Sequence, residues 1–224
     1  MTTIQDIPRP TNGDVVELIL ADHRLFESLL RELRDDTSDR EAARQAFAEL
    51  HVAHALSEES EVYPRLERKD AISDHEEEHG REEHAEGHEA LLALLECVGT
   101  DTQKFEDALE ELATAVNHHL AEEETSILNP ARSEVSEADR RALGERWLAA
   151  RNEKLAQGCA SVEQVRAIVK KAYGEDLLPA DDEEWPHGQD HLHPHRRSAA
   201  AGHVLVQADR GGVRHHRRRG AGDP

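Results

Sequence analysis

Four segments of similar length repeat apolar residues every three to four positions, and this pattern restricts the fold more than any other feature. The segments run from about Asp14 to Asp35, Arg40 to Glu67, Asp74 to Val98 and Thr102 to Leu128. Such spacing places apolar side chains on one face of an α-helix. Short links between helices of similar length favour antiparallel neighbours, so the pattern predicts an all-α, up-down-up-down four-helix bundle.

The composition and the breaks between segments agree with helices. Aromatic residues make up 3% of the chain and charged residues 33%, whereas sheets favour aromatic and β-branched residues. Polar residues at 36–39 precede the second segment, and Gly99 precedes the fourth. Pro64 stands near the end of the second segment and Pro130 after the fourth, as expected where helices stop.

Beyond Pro130 the chain predicts accessory elements. Leu143, Trp147 and Leu148 could dock a fifth helix on the bundle, and a sixth helix is expected near Val162 to Tyr173. We therefore expect one or two extra C-terminal helices. The tail is first acidic and then rich in His and Arg, which favours disorder. The predicted organisation is an N-terminal arm at 1–13, the bundle at 14–130, accessory helices at 131–178 and a disordered tail at 179–224.

The charge is unevenly distributed and limits the classes of partner. The net charge is −21, but the segment from His187 onward carries seven Arg and three Asp, a charge of +4. The rest of the chain therefore carries −25. An acidic body repels phosphate backbones and anionic membranes, so we expect no nucleic-acid and no membrane partner. Cations and neutral gases remain suitable ligands.

The predicted location is the cytoplasm. Cys97 and Cys159 lie far apart and show neither a disulfide framework nor a thiolate metal motif, which fits a reducing compartment. No stretch approaches the roughly 20 apolar residues of a membrane span. The first residues also lack the basic and apolar regions of a secretory signal.

Helical phase separates inward-facing from outward-facing histidines. The stripe of His79 runs into Glu82, Glu83 and Glu86, which places His75 and His79 on the solvent face. His118 likewise faces outward, and His51 lies partly on the face of His54. Seven polar residues fall on apolar, inward stripes: His23, His54, Glu58, His84, His88, His119 and Glu123.

This interior set points to metal binding. A lone histidine on an apolar stripe is usually a packed core residue, and a His-x-x-x-Glu pair is usually solvated. Together, however, two buried carboxylates without a cation would each cost several kcal/mol, and no Lys or Arg lies on the inward stripes. Imidazole with carboxylate suits iron, with zinc and manganese as alternatives. Seven ligands suit two ions better than one.

The second and fourth segments repeat one motif. His54 precedes Glu58 and Pro64, and His119 precedes Glu123 and Pro130. Four residues of helix rise about 6 Å, so each His-x-x-x-Glu pair can direct both side chains at one centre. The repeat suggests two equivalent helix ends that meet at the same place.

These motifs resemble the hemerythrin-like, or HHE cation-binding, family over about Val15 to Pro130. The resemblance rests on Asp22-His23, on His-x-x-x-Glu-Glu before Tyr63-Pro64, on His84-x-x-x-His88 and on His-His-x-x-Glu-Glu in the fourth segment. It implies two Fe ions bridged by an oxo or hydroxo group and by two carboxylates. One iron would bind His84, His88 and His119, the other would bind His23 and His54, and Glu58 and Glu123 would bridge.

The fourth-segment carboxylate has an alternative. Oxygen-carrying members of the family place an Asp five residues after the histidine, whereas other members use a Glu four residues after it. Here Glu123 stands four residues after His119 and Glu124 five. Helical phase favours Glu123.

The implied site leaves one open position, on the iron with two histidines. We expect it to bind dioxygen, nitric oxide or peroxide for sensing, carriage or detoxification, inside an apolar lining of Phe26, Phe47, Leu50 and Leu112. An alternative is an oxidoreductase that consumes peroxide or nitric oxide, for which His51 is the candidate acid or base. Iron storage ranks lower, because the Glu-x-x-His motif at Glu76 faces outward. A tail that carries metal or binds nucleic acid ranks lowest.

Overall fold

The computed structural model describes residues 2–179, so the predicted disorder beyond Pro179 lies outside the described residues. Within that range the chain forms helices and no strand, which confirms the predicted all-α class. None of the helices in this range is long and apolar enough to cross a membrane. The helices are α1 Val15–Arg34, α2 Arg40–Ser57, α3 Tyr63–Glu67, α4 Asp74–Leu95, α5 Gln103–Glu123, α6 Asn129–Glu134, α7 Glu137–Gln157 and α8 Val162–Gly174.

The alternating direction of the long helices follows from two apolar clusters that lie on either side of a polar layer. The first cluster includes Phe26, Phe47, Leu91 and Leu109, and the second includes Ile19, Val62, Ile127 and Trp147. Helices α1 and α4 run from the second cluster to the first, whereas α2 and α5 run the other way. Successive long helices are therefore antiparallel, and the histidines lie between the clusters.

Both accessory helices pack on the bundle. Ser136 caps the start of α7 by accepting a hydrogen bond from the backbone of Asp139, and Ser161 caps α8 in the same way. Helix α7 packs against α1 and α2, and α8 packs against α4. Trp147 of α7 is fully buried, and Leu143 and Leu148 lie beside it in the second cluster. The predicted docking residues of the fifth helix are confirmed.

The two prolines do not stop their helices, contrary to the sequence expectation. A π-helix at Glu58–Val62 joins α2 to α3, and another at Glu124–Leu128 joins α5 to α6. Each begins six residues before its proline. Proline has no N–H to donate to the residue four positions back, and the Arg65 guanidinium instead donates to the Ser60 carbonyl at 3.1 Å. The helix therefore widens for one turn and continues.

Candidate metal centre

The polar layer between the two apolar clusters contains all seven residues of the predicted site. Each is buried, with at most 5% of its surface exposed. The side chains come from all four long helices and from the first π-helix, which begins at Glu58. Both π-helices begin at the same distance from their proline but at different distances from their histidine. As a result Glu123 is the last residue of α5, whereas Glu58 is the first residue of its π-helix.

Six of the seven residues form two groups whose ligand atoms lie within 4.8 Å of one another. The groups are His23, His54 and Glu123, and Glu58, His84 and His119. Each carboxylate also reaches the other group. Glu58 places Oε1 3.0 Å from His54 Nε2 and Oε2 3.3 Å from His84 Nε2.

Glu123 spans the two groups from the opposite helix. Its Oε2 lies 3.1 Å from His23 Nε2 and 3.8 Å from His119 Nε2. Both carboxylates thus face both pairs of histidines, the arrangement expected of groups that bridge two cations. Glu124, the alternative, has a half-exposed side chain that lies outside these groups.

His88 lies in the same layer but outside both groups. Its Nε2 is buried without a hydrogen-bond partner, and its ring meets that of His51 edge-on at 5.0 Å. His51 in turn stacks on Phe47 and packs close to Gly87. A Cβ at residue 87 would lie 2.9 Å from His51 Nε2, so only glycine leaves room for this imidazole.

Carboxylates orient four of the histidines from outside the centre. Because a carboxylate only accepts, each imidazole Nδ1–H donates, so in its neutral form each ring would offer Nε2 as an electron-pair donor toward the interior. The pairs are His23 with Glu124 at 2.9 Å, His54 with Asp22 at 3.2 Å, His84 with Glu59 at 3.1 Å and His119 with Glu83 at 3.0 Å.

Unpartnered atoms test whether these residues fit a cation. His54 Nε2, His119 Nε2 and both oxygens of Glu58 are buried without a hydrogen bond, although His54 Nε2 lies only 3.0 Å from Glu58 Oε1. The distance is short, but the geometry is not that of a donor and an acceptor. Buried polar atoms without partners are costly, and imidazole nitrogens and carboxylate oxygens that converge on one place fit a shared cation that would replace the protons of the metal-free protein.

In the absence of a metal ion, the neighbouring charges shift the pKa values of the buried histidines in opposite directions. Burial lowers the pKa of a histidine, but the Glu58 and Asp22 carboxylates raise that of His54 to about 9. Glu58 and Glu59 likewise raise the pKa of His84, to about 10, against the effect of burial. His88 has burial and the His84 charge acting together, and its pKa falls to about 4. Without a metal ion, His54 and His84 are therefore protonated and supply the positive charge of the polar layer.

Helix α7 supplies a buried arginine that the helical stripes of the bundle do not contain. Arg151 donates from Nε to Asp22 Oδ2 at 2.6 Å and from Nη2 to Asp22 Oδ1 at 2.7 Å. It also donates to the Pro8 carbonyl, and Trp147 packs edge-on against the His54 ring at 5.6 Å. The expectation concerned only the inward stripes of the four long helices, and this arginine comes from outside the four-helix motif.

Two further side chains were missed or misplaced by sequence reasoning. Glu83 lies on the stripe assigned to solvent but is 6% exposed and accepts from His119. Its position at the α4/α5 contact, rather than its helical phase, buries it. The Tyr63 hydroxyl donates to Glu123 Oε1 at 3.0 Å and lies 3.4 Å from His84 Nε2. The only sequence signal for Tyr63 is its place in the Tyr-Pro dipeptide.

Comparison with known families decides the relationship. Residues 14–131, more than half of the chain, match the family described as the Hemerythrin HHE cation binding domain. The chain belongs to this family. The hemerythrin HHE region ends at the start of α6, so α7 with Arg151 and Trp147 lies outside it. The predicted resemblance is confirmed, and binding of metal cations agrees with the His and Glu groups of the interior.

A curated relative shows how far the comparison extends. The hemerythrin HHE chain is 24% identical over 126 residues to a protein described as a DNA nickase from Nostoc sp. (strain PCC 7120). The match covers 55% of this chain but 35% of the relative, so the chain spans about a third of that protein's length. No solved structure matches the chain.

Proposed function

We propose that this chain holds two iron ions in its polar layer and binds dioxygen, nitric oxide or peroxide there, for sensing, carriage or detoxification. One observation carries the proposal. Four imidazole Nε2 atoms and the oxygens of Glu58 and Glu123 converge, while carboxylates on the outside hold every Nδ1. Histidine with carboxylate and no thiolate is a donor set that suits iron.

The residues divide into two sets. We propose that His84, His119 and His88 hold one ion, that His23 and His54 hold the other, and that Glu58 and Glu123 bridge them. The unpartnered and buried Nε2 of His88 supports its inclusion. When bound, ferrous iron would supply an electron-rich centre that takes up small diatomic or peroxide ligands.

The protein around the centre suits a small ligand. Phe26, Phe47, Leu50 and Leu112 are buried and exclude water from the side of the first apolar cluster. A surface cavity of about 180 Å³ is lined in part by Glu124, whose Oε1 accepts from His23 Nδ1. Only the Glu124 side chain would then separate a small ligand in this cavity from His23 of the polar layer.

Metal analysis and absorption spectroscopy test the proposal. Protein purified in air should contain about two irons per chain and absorb in the near-ultraviolet. The reduced protein mixed with dioxygen or nitric oxide in a stopped-flow instrument should give a spectrum that reverses when the gas is removed. Stably folded protein that takes up no iron would contradict the proposal.

Tyr63 favours an oxidoreductase as the second candidate. Burial and the nearby Glu123 carboxylate raise the pKa of its phenol well above the ordinary value, so the phenol keeps its proton and holds it at Glu123 Oε1. Tyr63 thereby keeps a hydroxyl hydrogen in a fixed position beside the centre, and we propose that this hydrogen assists the consumption of peroxide or nitric oxide. Repeated oxygen evolution from peroxide by the wild type, lost in Tyr63→Phe, would favour this candidate over a carrier.

DNA is not part of the proposed function. The nickase relative acts on DNA by its name, but the residues before His187 carry a charge of −25, which repels a phosphate backbone. We also propose a cytoplasmic location, since both cysteines are free, as in a reducing compartment.

A further inference from the structure

The two carboxylate oxygens of Glu83 point in different directions: one toward the interior and one toward the outer face formed by α4 and α5. Oε2 accepts from His119 Nδ1 at 3.0 Å. Oε1 is buried and has no hydrogen-bond partner. It lies 3.4 Å from His118 Nε2 and 3.6 Å from His79 Nε2. A buried carboxylate oxygen thus points at two histidines that the interior centre does not use.

We propose that Glu83, His79 and His118 form a second, outer site for a divalent cation such as Zn²⁺ on the α4/α5 face. This site goes beyond the iron centre and rests on different side chains. A cation there would satisfy the unpartnered oxygen, whose desolvation otherwise destabilises the fold. The acidic body of the protein also raises the local concentration of cations.

The donor set suits zinc, and so do the two separations from Glu83, but the two imidazoles must turn toward each other to complete the site. Two ligands of a tetrahedral ion with bonds of about 2.0 to 2.1 Å lie roughly 3.4 Å apart. The two separations between histidine nitrogen and Glu83 oxygen are close to that value. The side chains of His79 and His118 are 46% and 61% exposed, so both imidazoles have room to adjust while Glu83 stays in place. Water would complete the coordination.

One carboxylate would then join the two centres. An outer cation on Oε1 draws electron density from Glu83 and weakens its hold on the His119 Nδ1–H through Oε2. Zinc at the surface would therefore change the environment of an interior histidine without entering the interior.

Zinc binding by the full-length chain tests the site, with competition against a chromophoric chelator as the measurement. His118→Ala should bind one fewer equivalent than the wild type, in both the metal-free and the iron-loaded protein. Histidines of the tail contribute equally to the wild type and to His118→Ala, so the difference in zinc stoichiometry between these two proteins reports on the outer site. Crystals soaked in zinc chloride should show an anomalous peak between Glu83, His79 and His118.

A matched pair of acidic variants separates this site from general surface charge. Glu82 and Glu83 both lie 3.6 Å from His79, but only Glu83 also faces His118. Glu83→Gln should weaken zinc binding at this site about tenfold or more, and Glu82→Gln should change it by less than about threefold. His75→Ala should leave the binding unchanged.

Three results would overturn the proposal. They are equal zinc binding by the two glutamine variants, wild-type stoichiometry in His118→Ala, and a zinc peak on His75 and His79 without Glu83. A chain that takes up no iron but still loses one zinc equivalent in His118→Ala would refute the proposed iron function and support the outer site.

Discussion

Arg151 and Asp22 form a two-pronged ion pair inside the protein, with hydrogen bonds of 2.6 and 2.7 Å. Asp22 is in turn the acceptor for His54 Nδ1 at 3.2 Å. A residue of helix α7, outside the region that matches the family, therefore holds a histidine of the interior in orientation. The arginine also neutralises the buried Asp22 carboxylate.

Removal of Arg151 should destabilise the protein strongly. Arg151→Met breaks a buried ion pair and leaves Asp22 with its hydrogen bond from His54, which should lower the free energy of unfolding by about 3 to 5 kcal/mol. The double variant with Asp22→Asn should recover a large part of this loss, since it removes the buried charge that has lost its arginine. Urea unfolding of the metal-free protein measures both. Arg141→Met removes an exposed pair and should change the stability by less than about 0.5 kcal/mol; a similar loss there would contradict a specific role for Arg151.

The two neighbouring glutamates of α5 and its π-helix should differ in their effect on metal. Glu123 is buried between both pairs of histidines, whereas Glu124 has a half-exposed side chain that accepts a hydrogen bond from His23 Nδ1. Glu123→Gln should lower iron content to one equivalent or less per chain. Glu124→Gln should keep two equivalents, with affinity reduced by no more than about tenfold. Metal analysis after dialysis decides, and the reverse order would identify Glu124 as the ligand.

The metal-free protein should be most stable near pH 6.5. His54 and His84 have pKa values raised to about 9 and 10, so their contribution is fully present below about pH 6.5 and is lost as the pH rises through those values. His88 has a pKa lowered to about 4, so its contribution is present above about 6.5 and is lost as the pH falls toward 4. Thermal unfolding across this range should give a maximum with decreases on both sides.

Iron-loaded protein provides the control for this pH dependence. Metal ligands are neutral imidazoles, so bound iron removes the protons of His54 and His84 and with them the alkaline decrease. Its unfolding temperature should stay nearly constant between about pH 6.5 and 9. A metal-free protein with an equally flat profile would show that these imidazoles are not protonated in the folded state.

A side chain at position 87 should destabilise the protein moderately. A Cβ there would meet His51 Nε2 at 2.9 Å in a packed region, and overpacking costs about 1 to 3 kcal/mol. Alanine recovers up to about 1 kcal/mol of helix propensity, so Gly87→Ala should lower the unfolding free energy by roughly 1 to 2 kcal/mol. Gly174→Ala, with no atom within 4 Å of its Cβ, should be neutral or slightly stabilising. Equal effects in urea unfolding would show that His51 moves freely.

Helical phase predicted part of the polar layer correctly and part of it wrongly. Helical phase placed His23, His54 and Glu58 on inward faces, and the structure buries them. It gave Glu83 the opposite face, because phase describes one helix by itself and α5 covers the edge of α4. It also read the prolines as stops, although a π-helix lets the chain continue through each.

The sequence by itself determined the all-α bundle and the interior set of histidines and glutamates, because both follow from a repeat of about 3.6 residues within single helices. Only the tertiary structure decided which atoms converge and which side chains support them. Arg151 stands 129 residues from Asp22, and Tyr63 stands 60 residues from Glu123. No local repeat encodes such a distance along the chain. The packing of α7 on α1 and α2, driven by burial of Trp147 and its apolar neighbours, brings the arginine to the aspartate.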